Sequence, residues 1–154
     1  MLTGWRLVKR RYADRAFDGE GARLHGGRWN SAGRPVVYVS ESRALATLEI
    51  LTGLRSPAVI PAYVLIKLEF EEGVVTEVEE RRLAAEWMAS PPGHATQSVG
   101  DRWFDAMTSA VLKVPSALVP GEFNFLINPL HPDFRTLKIG SPEQLYLDPR
   151  ILPP

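Results

Sequence analysis

Three groups of residues are spaced so that they could act on a small anionic molecule. The first is Gly26-Gly27-Arg28-Trp29-Asn30. Two glycines let a backbone turn tightly or lie close to a ligand. Arg28 then offers a planar fork of donors, Trp29 a stacking face, and Asn30 an amide that gives and accepts hydrogen bonds. Together they can hold a phosphate and a flat ring. A tight turn around a core tryptophan would use the same residues. The second group is Tyr38-Val39-Ser40, followed nine residues later by Glu49. Side chains alternate along a strand, so Tyr38 and Ser40 share a face. Glu49 falls at the edge of an apolar helical stripe made by Ala44, Leu45, Leu48 and Leu51. A buried carboxylate needs a partner, and an arginine from the preceding loop is the expected one. A glutamate at the rim of the stripe that simply reaches water is the plainer alternative. The third group is Ser116, after a proline in an apolar stretch, and Asn124, between Phe123 and Phe125. Each is either satisfied by backbone or directed into a site.

Other chemistry finds less support. His25, His94 and His131 lack metal-ligand spacing, and there is no cysteine, so no metal site is expected. There is no GxSxG elbow, no P-loop and no GxGxxG.

The elements that must position these groups follow from pattern. Strands are predicted at Gly4–Val8, Pro35–Ser40 and Ala62–Phe70, with shorter ones at Val74–Val78, Ala117–Val119, Asn124–Ile127 and Thr136–Ile139. Helices are predicted at Glu41–Thr52, capped by Ser40 and stopped by Gly53, at Glu79–Met88, and at Ser98–Leu112. Between the first two strands lies a long, basic, glycine-bearing loop, the kind of segment that often carries function. Short strands with few helices predict an α+β domain with a mostly antiparallel sheet.

Composition sets the bounds. The 154 residues are 45% hydrophobic and 23% charged, which predicts one compact soluble domain over residues 1–154. No apolar run approaches the ~20 residues of a membrane helix, and the first twenty residues do not read as a secretory signal. With no cysteine the chain suits a reducing cytoplasm. Basic and acidic groups number 18 each, so net charge gives no argument for nucleic acid. The balance is uneven, however. Residues 1–60 carry ten basic and five acidic groups, and nine of the ten are arginines, the side chain suited to bidentate phosphate binding.

Taken in order, the motifs resemble the RES domain, the toxin half of bacterial RES–Xre toxin–antitoxin pairs. They are WR (5–6), GEGAR (19–23), GGRWN (26–30), PVVYVSES (35–42), ATLE (46–49), QSVGDRW (97–103), VPSALVPGEFNFLINP (114–129) and LDPRIL (147–152). They span almost the whole chain, and residues 71–96 are its least family-specific part. The resemblance implies a fold akin to ADP-ribosyltransferase toxins, with small facing β-sheets and flanking helices around an NAD cleft. It implies attack on the bond joining nicotinamide to ribose, with NAD+ as substrate and no metal. It places the name-giving arginine, glutamate and serine at Arg28 (or Arg6), Glu49 and Ser116, as catalytic residues. Arg6, Trp29, Asn30, Tyr38, Ser40 and Asn124 would bind substrate. Water, phosphate or a protein side chain would accept the ADP-ribose. An Xre-type antitoxin is the implied partner; a homodimer is left open, and neither direct nucleic-acid binding nor a membrane is implied. A ribonuclease-like toxin and a non-enzymatic nucleotide-binding module are the alternatives.

Overall fold

The computed structural model describes residues 1–54 and 56–151. In chain order the strands and α-helices are β1 (Leu2–Lys9), α1 (Glu20–His25), β2 (Val37–Ser40), α2 (Arg43–Leu51), β3 (Tyr63–Phe70), β4 (Val75–Glu77), α3 (His94–Asp105), β5 (Val111–Pro115), β6 (Phe123–Ile127), β7 (Lys138–Ile139) and β8 (Glu143–Gln144). This is the expected α+β domain. Its strands form one curled sheet in the order β4-β5-β6-β2-β1-β3-β7, with β8 also on β3. All pairings are antiparallel except β4 with β5.

Alternation along the strands explains the curl. Phe125 and Ile127 of β6 face the same cluster as Val64, Ile66, Leu68 and Phe70 of β3. Phe70 meets Phe125 edge-on, ring centroids 5.0 Å apart, so the two halves of the sheet close on one another through this core. Leu126, between them in sequence, points the other way, into a cluster with Trp103 and Phe104 of α3. Leu7 and Leu65, on the outer face of the second half, pack on Ala46 of α2. Each such side chain contributes roughly 1.5–3 kcal/mol by leaving water.

The halves are joined by a thin seam. β1 pairs with β3 along its whole length, but with β2 only at Trp5↔Ser40. Beyond that pair the strands separate, and the gap is bridged by the Arg6 side chain. Its guanidinium donates to the Tyr38 carbonyl (2.9 Å) and the Ala16 carbonyl (2.5 Å).

Several local expectations are corrected. The cap of α2 is Ser42, which accepts from the Leu45 N–H at 3.0 Å; Ser40 lies inside β2. Residues 79–88 form a 3-10 turn at Glu80–Arg82 and further turns, not a helix. The apolar spacing there has another cause: Leu83 and Trp87 pack into the core cluster around Trp29. The predicted helix over Ser98–Leu112 merges two elements, since α3 ends at Asp105 and 111–115 is a strand. That strand is apolar toward both faces, and such a run cannot be told from a buried helix by period alone. Residues 117–119 bend instead of extending, and LDPRIL ends at Leu152, outside the described residues.

Candidate active site at the seam of the sheet

Three cavities meet where β1 and β2 part. The innermost, about 150 Å3, is bounded by Arg6, Ser40, Glu49 and Asn124. A second, about 400 Å3, runs under Gly26, Gly27 and Arg28. A third, about 300 Å3, opens between Arg28, Met88 and Leu118. Tyr38 and Glu49 line all three. The larger two lie in the ~300–1,000 Å3 range typical of small-molecule sites.

Glu49 reaches the cleft from the second turn of α2. The arginine expected as its partner is replaced by an amide: Asn124 Nδ2 donates to Glu49 Oε1 at 2.9 Å. Asn124 is itself oriented from β2, because the Ser40 hydroxyl donates to Asn124 Oδ1 at 2.8 Å. Ser40↔Asn124 is a register pair of β2 and β6, so the sheet pairing builds this relay directly. The Ser116 hydroxyl lies 3.5 Å from the same Oε1. Glu49 Oε2 has no hydrogen-bond partner among the described residues. One oxygen is thus held and the other is available to a ligand.

Ser116 is only 1% exposed. Its Oγ also accepts from the N–H groups of Leu118 and Val119, each at 3.1 Å. The serine therefore folds the 116–119 bend as well as touching Glu49, which joins the two sequence alternatives for it.

Arg28 is half-buried at the junction of the two outer cavities. Its NH1 donates to the carbonyls of Trp87 (2.8 Å) and Ala89 (3.0 Å). These tether one edge of the guanidinium, while Nε and NH2 have no partner among the described residues. Arg6 faces the two cavities nearest the seam. Burial lowers its pKa to about 10, opposed by Asp18, so it stays charged at neutral pH.

Tyr38 and Asn30 are joined to each other and to the loop. The Tyr38 hydroxyl donates to Asn30 Oδ1 at 2.6 Å and accepts from the Trp29 N–H at 3.1 Å. Burial holds the phenol above its ordinary pKa, so it remains a donor. A Cβ on Gly27 would meet this hydroxyl at 2.7 Å, which is why glycine stands there. Asn30 is 0% exposed, and its Nδ2 donates to the carbonyls of Ala22, Ser31 and Arg34. Every part of the Asn30 amide is thus spent on fastening the loop. Trp29, 2% exposed, packs in the core cluster beside Trp87, ring centroids 6.0 Å apart, and only borders the third cavity. Thr52, Met88 and Leu118 complete that outer wall. They come from three separate segments, and no spacing in the sequence connects them.

The Tyr38 hydroxyl gives a direct test of this arrangement. Tyr38→Phe keeps the ring but orphans the Trp29 N–H and Asn30 Oδ1. A loss of about 1–3 kcal/mol in stability is expected, read as a lower urea midpoint at unchanged m-value. An unchanged midpoint would remove the hydroxyl from the loop's support.

Fold and site together define an α+β domain with a curled sheet that opens at its seam onto a cleft holding arginines and a glutamate. The RES domain model matches residues 3–148, and the chain belongs to the RES domain family. It is 37% identical over 130 residues to "Toxin Res" of Photorhabdus laumondii, covering 84% of this chain and 83% of that protein. It is also 37% identical over 153 residues to the "Prs ADP-ribosylating toxin" of Sphingobium sp., covering 96% and 95%. The crystal structure of the M. tuberculosis MbcT–MbcA toxin–antitoxin complex holds a chain of the same fold. It aligns with TM-score 0.77 at 19% identity, over 94% of this chain and 84% of that one. No helix among the described residues is long and apolar enough to cross a membrane.

Proposed function

We propose that this chain is the toxin of a toxin–antitoxin pair and that it cleaves the nicotinamide–ribose bond of NAD+. One observation carries the proposal: Glu49 borders all three cavities, with one carboxylate oxygen fixed by Asn124 and the other without a partner among the described residues. In the reaction the C1′–N bond of the nicotinamide ribose breaks and its electron pair leaves with the ring nitrogen. The sugar becomes an oxocarbenium-like cation, as in glycoside hydrolysis. A preorganised carboxylate stabilises that charge without reorganising. An acceptor oxygen then bonds to C1′ and gives up its proton.

The remaining roles follow from position. Arg28, whose Nε and Nη2 have no partner among the described residues, binds the pyrophosphate by a charge-assisted fork. Arg6 adds positive potential at the seam. Tyr38 presents its ring to the cleft, Asn124, oriented by Ser40, holds Glu49, and Ser116 closes the wall behind it. The carboxylate, arginines and amides need no metal for this chemistry. The partner is an antitoxin of the Xre type, which restrains an enzyme that would otherwise drain the cytoplasmic NAD+ of its own cell. A second reading, ADP-ribosyl transfer to a protein side chain, is favoured by the 37% identical relative named an ADP-ribosylating toxin.

The deciding experiment incubates purified protein with NAD+ alone, with inorganic phosphate, with a cell lysate and with RNA. Nicotinamide release with intact RNA is expected, and the fate of ADP-ribose identifies the acceptor. Stable NAD+ or cut RNA would overturn the proposal. Arg28→Ala should raise KM for NAD+ by roughly 10- to 100-fold, the worth of a charge-assisted pair. An unchanged KM would release Arg28 from phosphate binding.

A further inference from the structure

The motif QSVGDRW has no part in the cleft, yet it forms the middle of α3 and meets the Arg28 loop step by step. Gln97 Nε2 donates to the Gly27 carbonyl at 3.1 Å. Gly100 backs directly onto the Trp29 carbonyl: a Cβ there would lie 1.7 Å from that oxygen. Asp101 accepts from the Ser31 N–H at 3.0 Å and from the Ser31 hydroxyl at 2.5 Å. Its Oδ2 also lies 3.3 Å from Arg34 NH1. Asp105 takes the rest of the Arg34 fork at 2.7 and 2.6 Å. Positions 97, 100/101 and 105 follow one another on a single helix face. Their partners, 27, 29, 31 and 34, advance along the loop in the same direction.

We propose that this face of α3 is a template that holds the loop 27–34 in the shape that turns Arg28 toward the cleft, with Asp101 its main positioning residue. The inference rests on Arg28 being the phosphate-binding group. Asp101 is suited to the task because it grips the loop at both a backbone and a side-chain donor, three residues beyond Arg28. Carboxylate hydrogen bonds of this kind are about twice as strong as neutral ones. The Arg34–Asp105 pair is more exposed and contributes less. Gly100 is needed because main chain meets main chain there, and neither side can yield as a flexible side chain would.

Asp101 touches no part of the cleft, so its effect must pass through the loop. Small displacements of a binding group can cost up to ~100-fold. Asp101→Ala should therefore raise KM for NAD+ about tenfold while changing kcat far less. The double variant Asp101→Ala/Arg28→Ala should be no worse than Arg28→Ala alone, because the lost positioning has nothing left to position. Gly100→Ala is expected to disrupt folding, so the Asp101 series decides. Hydrogen exchange supplies an arm independent of catalysis: the Ser31 amide should lose protection in Asp101→Ala while the β6 amides keep theirs.

A lower melting temperature with unchanged KM would overturn the proposal, as would full additivity with Arg28→Ala or an unaltered Ser31 amide. If the unaltered protein releases no nicotinamide, the NAD+ reading fails. The exchange arm then decides by itself whether α3 holds the loop.

Discussion

Glu49→Gln should lower the rate of nicotinamide release by roughly 10²–10³, the usual worth of a preorganised electrostatic group. Glutamine keeps the length of the side chain and an Oε1 that can still accept from Asn124 Nδ2. What changes is the unpartnered position, where a neutral amide replaces the charged oxygen facing the cleft. The melting temperature should therefore move by only a few degrees, and toxicity should be lost along with turnover. The loss should appear in kcat, since the charge matters most to the ribose cation and less to the bound ground state. A folded Glu49→Gln protein with near wild-type turnover would remove Glu49 from the mechanism. A protein that unfolds would recast the carboxylate as the buried anchor of Asn124.

A large effect on stability that leaves the protein folded is expected away from the carboxylate. Asn30→Ala removes one acceptor and two donor hydrogens that bind the Tyr38 hydroxyl and the carbonyls of Ala22, Ser31 and Arg34. Each orphaned buried group costs about 1–3 kcal/mol, but Ala22 and Arg34 carbonyls keep backbone partners in Gly26 and Val36. A net loss of about 2–4 kcal/mol follows, or roughly 5–15 °C in melting temperature for a chain this long. Were Asn30 a substrate contact, the same variant would keep its melting temperature and raise KM. Thermal unfolding and kinetics on one preparation separate the two.

The contrast between Glu49 and Asn30 marks how far residue types can be read. Both are polar residues with chemistry to offer, Glu49 at the edge of an apolar stripe and Asn30 beside Arg28 and Trp29. One faces a cavity and the other is sealed inside a loop. Which way each points depends on what surrounds it in space. Asn30 turns inward because three carbonyls converge on its amide. Glu49 turns to the cleft because the β2–β6 register delivers Asn124 to one of its oxygens. Charge alone points to an arginine partner, but strand pairing supplies a neutral amide instead. Likewise apolar spacing predicts a helix over 79–88, whereas Leu83 and Trp87 pack into the cluster around Trp29 from a series of turns.

The sequence by itself determined the α+β class, most of the strands, the region of α2 and the family, because these rest on local alternation, apolar periods and motifs in fixed order. It also assembled the cleft residues Arg6, Arg28, Tyr38, Glu49 and Asn124, which the fold does bring to common cavities. Only the tertiary structure decided that the sheet is one curled surface parting at a single β1–β2 pair, and that Arg6 bridges the gap. It alone decided that Asn30 and the Tyr38 hydroxyl serve the loop, and that the α3 motif meets that loop residue by residue. The physical reason is that a buried polar group must find partners wherever the packed chain offers them. The partners that orient the site lie from seventy to more than eighty residues away, beyond the reach of any local pattern.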